Sequence, residues 1–472
     1  MGKLQYPHLF EPIKIGNVTF KNRLFCAPTG YLNVHGDGYF TPGAEYYYAR
    51  RALGGAASVA TCEFFVGDEA RSFDKQMSLD TPNIDTELAR LAHAIDANGA
   101  VPNMELQHAG MYAARAMNDG NMASTEEDTG SKTSDVAYGP VEMECKGRVT
   151  RHILPMTDEM IEHTIDKYVR GAVMGKNAGF RMVLVHAGHG WFLHQFLSPI
   201  INTRTDKWGG SVENRCRILN CIIDGIHKAC GNDFPVEVRI SASELYDGGF
   251  GFDVGLANAI EISKHCNLIH ASSGNHEVPE VFTKTHPSMF EPDGCEVQFS
   301  AEIKKHVNVP VGTVGALSDP DLMEEILASG KADVIEMARE FICEPDFPNL
   351  VRSGRGNDAK QCLRCLHCFA KEMQNGEPYC AINPQSGREM EAYYQSPIPT
   401  REKRILIVGG GVAGMEAALQ CAKRGHEVVL CEKEKRLGGV MRCEEQIDFK
   451  HKFAYYLDQQ QRKCLENPRI DV

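Results

Sequence analysis

The 472-residue sequence has only two tryptophans, no long apolar run and no excess of positive charge. No stretch approaches the ~18 consecutive apolar residues of a membrane-spanning helix, and the polar start at residues 1–5 has no apolar signal segment. A net charge of −13 leaves no basic face for nucleic acid or an anionic membrane. We therefore expect a cytoplasmic protein that binds neither nucleic acids nor membranes.

Cysteine, by contrast, is abundant, with 17 residues. The pattern C-x2-C-x2-C-x11-C is formed by Cys362, Cys365, Cys368 and Cys380. Four thiolates at this spacing can bind an iron–sulfur cluster, which we predict to be 4Fe-4S, and they also permit a structural zinc ion. We favour the cluster, because zinc transfers no electrons and a nucleotide-binding pattern follows directly. The other, scattered cysteines are expected to be small buried residues rather than a disulfide framework.

The nucleotide-binding pattern follows an apolar strand candidate at residues 404–408. Gly409, Gly411 and Gly414 form G-x-G-x-x-G ahead of an Ala-rich helix, and Glu432 ends the next apolar run. In dinucleotide-binding folds such glycines admit the pyrophosphate and the terminal carboxylate binds the ribose. Residues 403–472 amount to about one βαβ unit, whereas the complete fold needs two halves. We therefore expect a partial, truncated Rossmann-like FAD/NAD(P)-binding domain.

Residues 20–350 alternate short apolar runs with longer amphipathic stretches, such as the helix candidates 157–176 and 211–228. This alternation predicts an α/β protein whose N-terminal part, 1–355, is a (β/α)8 TIM barrel with its site at the C-terminal ends of the strands. An iron–sulfur segment, 356–392, and a linker, 393–402, would follow. The strand candidates are 23–27, 57–62, 101–107, 182–186, 235–240, 268–271, 309–313 and 334–337.

A polar tract at 117–138 is too long and too hydrophilic for a plain connection. It predicts either a loop over the barrel mouth or a solvated insertion, and the sequence leaves both open.

The fourth strand candidate continues into a long and distinctive segment. It reads V-H-A-G-H-G-W-F-L-H-Q-F-L-S-P over residues 185–199 and N-T-R-T-D-K-W-G-G-S-V-E-N-R over 202–215. This segment resembles the old yellow enzyme family, in which two His, or a His and an Asn, hold a substrate oxygen above a flavin. The resemblance implies that role for His186 and His189. Either one alone would more often be a core histidine with satisfied hydrogen bonds.

The same resemblance implies an FMN site along the barrel. Arg239, for example, is similar to the basic residue near flavin N1 and O2, where a cation stabilises the reduced ring. Without the resemblance, a charge at the end of an apolar strand would be expected only to reach solvent. The loop after strand seven and an arginine after strand eight would hold the phosphate. The implied FMN-binding set is Ala27, Pro28, Thr29, Cys62, Gln107, Arg239, Gly312, Gly315, Ala338 and Arg339.

The cysteine pattern narrows the resemblance to the multidomain iron–sulfur branch, which includes 2,4-dienoyl-CoA, enoate and bile-acid reductases and trimethylamine dehydrogenase. The amine enzyme binds its cation with tryptophans, which are scarce here. Ene reduction needs an acid, and Trp191 occupies the position of the family's usual tyrosine in the catalytic set. Its indole is no useful acid, so the proton is assigned to His276, whose segment S-G-N-H-E resembles that of the dienoyl-CoA reductase. Tyr31, Tyr112 and water are the alternatives.

The resulting hypothesis is a flavin-dependent ene reductase. Electrons from NADH or NADPH would pass through FAD and the 4Fe-4S cluster to FMN, which would reduce the C=C bond of a small α,β-unsaturated carbonyl substrate. An oxidative amine dehydrogenase and a non-catalytic electron-transfer module are the alternatives. A homo-oligomer is a further expectation.

Overall fold

The computed structural model describes residues 5–31, 33–34, 39–72, 76–113, 124–126, 132–134, 136–146, 150–376, 378–395 and 401–472. The strands are β1 Ile13–Ile15, β2 Val18–Phe20, β3 Leu24–Cys26, β4 Ser58–Phe65, β5 Met77–Ser78, β6 Val101–Gln107, β7 Ser124–Glu126, β8 Lys132–Ser134, β9 Val136–Gly139, β10 Met143–Lys146, β11 Thr150–Pro155, β12 Met182–Ala187, β13 Val236–Ser241, β14 Leu268–Ser272, β15 Val311–Thr313, β16 Val334–Met337, β17 Arg404–Val408, β18 Glu427–Cys431 and β19 Ile470–Asp471. The α-helices are α1 Gly43–Leu53, α2 Ile84–Asp96, α3 Asp158–Ala178, α4 Phe192–Leu197, α5 Val212–Cys230, α6 Phe252–Ile262, α7 Phe282–Thr285, α8 Val297–Ile303, α9 Pro320–Ala328, α10 Arg339–Cys343, α11 Phe347–Arg352, α12 His367–Asn375, α13 Glu389–Gln395, α14 Val412–Lys423 and α15 His451–Glu466.

A closed parallel barrel forms the centre of the fold. Its strands follow the order β3-β16-β15-β14-β13-β12-β6-β4, and β3 pairs with β4 to close it. These are the eight strands expected from the apolar runs, so the prediction of a TIM barrel is confirmed. Strands β6, β12, β14 and β16 are buried along their whole length, as expected where helices cover a parallel sheet.

Neighbouring strands bring residues that are distant in sequence into one layer of the barrel. Across β12, β13 and β14, His186 is opposite Arg239, which is opposite His270. On β15 the same row ends at Gly312. Because all strands run in the same direction, the residues that follow this row meet at one rim.

The observed strands differ from the predicted bounds in two informative places. Strand β4 runs to Phe65, and its register against β6 shifts between Ala60 and Glu63. Such a bulge kinks the strand, and a periodicity argument does not detect it. Strand β15 begins at Val311 rather than at 309, because Pro310 has no N–H to donate to the neighbouring strand.

The two longest barrel helices begin where the sequence indicates. The Thr157 hydroxyl accepts a hydrogen bond from the Met160 N–H at the start of α3, at 3.3 Å. Ser211 accepts from the Asn214 N–H at the start of α5, also at 3.3 Å. Each cap satisfies one N–H that has no partner within the helix, which stabilises a helix by about 1 kcal/mol.

The C-terminal region has the predicted βαβ arrangement. Strands β17, β18 and β19 form a parallel three-stranded sheet, and α14 and α15 pack on it through a small apolar core that also includes Cys343 and Ile382. Asp293 joins this region to the others, because its carboxylate contacts Lys452 of α15 at 3.0 Å and Arg364 of the cysteine segment at 3.2 Å. The exact domain boundaries stay a prediction.

Two predicted segments lie largely or partly outside the described residues. Of the polar tract 117–138, the described parts include β7 and β8, which pair antiparallel. Of the linker, residues 396–400 are outside the described part. In the part of the chain that the structure describes, no helix is long and apolar enough to cross a membrane.

Candidate active site

The two histidines of β12 and its following turn form a continuous hydrogen-bonded chain at the barrel mouth. His186 Nε2 lies 2.7 Å from His189 Nδ1, and His189 Nε2 lies 2.9 Å from the Ser272 hydroxyl. At the other end, His186 Nδ1 contacts the amide oxygen of Gln107. If this oxygen accepts a hydrogen bond from the Nδ1–H of His186, each ring donates a hydrogen bond from Nδ1 and accepts one at Nε2. The chain is then fixed in one direction.

Burial keeps both histidines neutral. The pKa of His186 and that of His189 lie well below the usual value, first because the rings are desolvated and then because Arg239 is close. Neutral imidazoles can hold a substrate oxygen by hydrogen bonds without adding a charge to the site. The unusual backbone of His189, with φ of +60°, turns its ring toward Ser272.

Arg239 is the cation of a barrel interior that is otherwise rich in carboxyl groups. Burial raises the pKa of Glu105 to about 8 and that of Glu63 to about 7, and Arg239 partly opposes both shifts. Glu296 is likewise raised to about 7, by burial. These buried carboxyl groups therefore keep their protons to a higher pH than exposed carboxyl groups do. Arg239 lies among them as a cation that can pair with an anionic group.

Several buried polar atoms in and around this layer have no hydrogen-bond partner within the protein. They include Gln107 Nε2, Arg239 Nε, Thr313 Oγ1 and Arg339 Nη1. An unpartnered buried donor is costly, so atoms of this kind mark a place where a polar ligand belongs. A cleft is lined by Arg239, Gly315 and Arg339 and extends to Cys362. Of the residues that the resemblance assigns to FMN, Arg239, Gly315, Ala338 and Arg339 line this cleft.

The turn after β15 contains two consecutive residues with positive φ. Gly315 has φ of +105°, and a Cβ at this position would lie 3.0 Å from the side chain of Glu296. Ala316 also has a positive φ, of +55°. Consecutive residues of this kind point backbone N–H groups at a common centre that can bind an anion. Gly312 lies within β15, and Ala338 immediately precedes Arg339 at the start of α10.

Four further implied FMN residues lie directly after β3 and within β4. Ala27 is buried and donates its N–H to the Met337 carbonyl at 2.9 Å, and Pro28 follows it. The Thr29 hydroxyl lies 2.7 Å from the Tyr47 hydroxyl. Cys62 is buried, and its N–H donates to the Tyr48 hydroxyl at 2.8 Å.

His276 and Trp191 lie beside the histidine pair. The His276 N–H donates to the His189 carbonyl at 3.0 Å. The His276 ring centroid is 5.7 Å from that of His189 and 5.7 Å from that of Trp191. Of the alternative acids, Tyr112 packs edge-on against Trp191 at 6.2 Å, and burial raises its pKa well above the usual value. Tyr31 instead contacts the Thr41 hydroxyl at 3.1 Å.

The four predicted cluster cysteines are close enough to interact electrostatically. Burial and the charges of the other three cysteines raise the pKa of Cys368 to about 12, with Arg339 opposing. The described residues contain one group of three potential ligand atoms within 4.8 Å of one another, and it is Glu237, His270 and Glu336. No three of the cysteines meet that limit. A tetrahedral zinc site with Zn–S bonds of about 2.3 Å requires sulfurs about 3.8 Å apart.

The loop between β17 and α14 has the geometry that its glycines predict. A Cβ on Gly414 would lie 1.9 Å from the Gly409 carbonyl oxygen, so only glycine allows this helix to approach the strand. Gly409 has φ of +103°, and Gly411 directly precedes α14. The Glu432 carboxylate accepts a hydrogen bond from the Gly410 N–H at 2.7 Å, which places it at this loop.

Sequence reasoning missed two residues of the site. His286 lies 3.3 Å from His276, and the Glu296 carboxyl lines the cleft with both arginines. Both lie between β14 and β15, where neither apolar periodicity nor a short motif marks them. Only the folded loop shows their position.

Comparisons with known proteins match both the barrel and the C-terminal region to family models. The model of the NADH:flavin oxidoreductase / NADH oxidase family matches residues 8–358, and that of the FAD dependent oxidoreductases matches 404–449. The chain is 34% identical over 460 residues to an NADH oxidase of Thermoanaerobacter brockii, covering 96% of this chain and 67% of that protein. It is 31% identical over 461 residues to a cinnamate reductase of Clostridium sporogenes, covering 93% and 66%.

A solved structure of 2-naphthoyl-CoA reductase with 2-naphthoyl-CoA is similar over the whole chain. The TM-score is 0.89 at 28% identity, covering 99% of this chain and 71% of that one. The chain thus spans about two thirds of the length of these relatives.

Proposed function

From the premise that this chain belongs to the NADH:flavin oxidoreductase / NADH oxidase family, we propose that it reduces the C=C bond of an α,β-unsaturated carbonyl compound. The observation that carries the proposal is the group of His186, His189 and His276 at the barrel mouth, with the first two neutral and buried. An ene reduction needs hydrogen-bond donors for the carbonyl oxygen and a separate proton donor for carbon. The cinnamate and 2-naphthoyl-CoA reductases among the similar proteins support this substrate class.

FMN fits the cleft in the barrel. Gln107 and Arg239 offer unpartnered donors for the flavin ring, and Arg339 with the turn at Gly315 offers donors for the phosphate. The backbone of Ala27, Pro28 and Thr29 and buried Cys62 would border the ring. When bound, FMN supplies the hydride. Arg239 would offset negative charge that develops on the reduced ring.

The histidines would divide the remaining chemistry. His186 and His189 would hold the carbonyl oxygen, each exchanging the hydrogen bond that its N–H donates in the chain for one to the substrate. These bonds would make the β-carbon more electrophilic. His276 would donate the proton to the other carbon. Trp191 would shape the site without donating, since its indole N–H is not acidic, and the raised pKa of Tyr112 makes it a weaker donor.

A 4Fe-4S cluster fits the four cysteines better than zinc does. No three of the four sulfurs lie within 4.8 Å of one another, which suits a larger inorganic core than one zinc ion. Arg364 and Leu366 have φ of +54° and +59°, and these two left-handed residues turn the chain between Cys362, Cys365 and Cys368. The location of this segment between the barrel and the Rossmann-like region supports electron transfer from NADH or NADPH through FAD to FMN. A homo-oligomer remains part of the proposal.

The test is anaerobic stopped-flow absorbance of the photoreduced holoprotein mixed with cinnamates, enoyl-CoA thioesters and trimethylamine. We expect an unsaturated carbonyl compound to reoxidise the flavin band. If no such compound reoxidises it and the amine bleaches the oxidised protein, the chain is an amine dehydrogenase. If neither occurs while iron, sulfide and flavin are present, the electron-transfer module is the better description.

A further inference from the structure

His286 lies directly behind the candidate proton donor. It follows α7 and is half-buried, and its Nε2 lies 3.3 Å from His276 Nδ1. The two ring centroids are 4.4 Å apart, with an interplanar angle of 62°. The proposed function gives His286 no role, although it contacts the residue that would deliver the proton.

Aromatic rings fix the orientation of His286 on its other side. Its ring centroid lies 4.3 Å from that of Phe369 on α12 and 4.8 Å from that of Phe282 on α7. Phe369 directly follows Cys368, so the cysteine segment supports the imidazole. A ring held in this way directs one nitrogen at His276 and has little freedom to turn it elsewhere.

The surroundings of His286 disfavour a proton on its ring. Burial lowers the pKa of His286 well below its usual value, and the charges of His276, Arg339 and Arg239 lower it further. His286 therefore stays neutral. Neutral His286 then offers a lone pair to the Nδ1–H of His276.

We infer that His286 is a positioning residue that accepts a hydrogen bond from Nδ1–H of His276 and so turns His276 Nε2 toward the space beside His189 and Trp191. The inference deepens the proposed function, since it assumes that His276 is the donor. His286 itself neither gains nor loses a proton. It selects the nitrogen from which the proton leaves.

Two substitutions separate the hydrogen bond from the packing. His286→Phe keeps a ring against Phe369 but removes the acceptor, whereas His286→Gln can place an amide oxygen where Nε2 lies. We expect flavin reoxidation by cinnamate to be at least tenfold slower in His286→Phe and to recover to within about threefold of wild type in His286→Gln. In a His276→Ala background, His286→Phe should have no further effect, because the two residues act as one unit.

A second measurement does not depend on turnover. The measurement is the 15N chemical shift of the histidine ring nitrogens in the labelled holoprotein, with the His276 signals assigned by their loss in His276→Gln. We expect the His276 chemical shifts to change in His286→Phe and to return to the wild-type values in His286→Gln. His265→Gln, at a paired surface histidine, is the control that should change nothing. If no enoate reoxidises the wild type, the proposed function fails and the nitrogen spectrum alone decides about His286. The inference would be overturned if the His276 chemical shifts are unchanged in His286→Phe. It would also be overturned if His286→Phe slows flavin reoxidation equally with His276 and with Ala at position 276.

Discussion

Replacing Glu105 by Gln should make the stability of the protein less dependent on pH. Glu105 lies on β6, is buried, and approaches His186 Nδ1 at 3.0 Å. Burial raises its pKa from 4.5 to about 8. The folded state therefore holds this proton more tightly than the unfolded chain does. The resulting stability is complete below about pH 4.5 and is lost as the pH rises through 8.

The magnitude follows from the two pKa values. At 1.36 kcal/mol per pKa unit, the wild type should lose roughly 3 to 4 kcal/mol between pH 5 and pH 8 because of this one carboxyl. Gln has nearly the same shape and does not titrate. The substitution also lowers the pKa of Glu63, which the Glu105 charge raises, and this change acts in the same direction.

The assay is urea unfolding of both proteins at pH 5, 6, 7 and 8 with excess FMN, analysed for the free energy of unfolding. We expect the difference between Glu105→Gln and wild type to grow by that amount from pH 5 to pH 8. Glu162→Gln, at an exposed glutamate on α3, should parallel the wild type. Parallel curves for Glu105→Gln and wild type would refute the argument that Glu105 is neutral at pH 7.

Three further outcomes follow from local geometry. Gly414→Ala should abolish FAD retention while FMN content stays near wild type, as measured by chromatography of released flavins, because the new Cβ would collide with the Gly409 carbonyl. Thr157→Ala should lower the free energy of unfolding by about 1 kcal/mol with an unchanged urea m-value, since one helix cap is lost. Cys365→Ser should lower the bound iron and sulfide measured by elemental analysis and leave the zinc content unchanged. Stoichiometric zinc in the wild type would contradict the cluster assignment.

Much of the fold was predictable because barrel strands are buried on both faces. Runs such as 182–186 and 334–337 are apolar enough to be found without tertiary information. The bulge in β4 between Ala60 and Glu63 was not predictable, because it depends on pairing with β6. The delayed start of β15 was in principle visible, since Pro310 cannot donate to a ladder.

The site was predictable where its residues end strands. His186 and Arg239 belong to one barrel layer, and His189 and His276 meet beside it because β12 and β14 end at the same rim. His286 and Glu296 were missed, since their positions depend on how the loop after β14 folds against the cysteine segment. The direction of the hydrogen-bonded chain from Gln107 to Ser272 also required coordinates.

The most direct test of C=C reduction is product analysis after the photoreduced holoprotein is incubated anaerobically with cinnamate in D2O. We predict a saturated product with deuterium on both former alkene carbons. One would come from His276, which exchanges with solvent, and the other from a flavin reduced in D2O. Recovery of unchanged cinnamate from reduced protein with full flavin and iron content would contradict ene reduction.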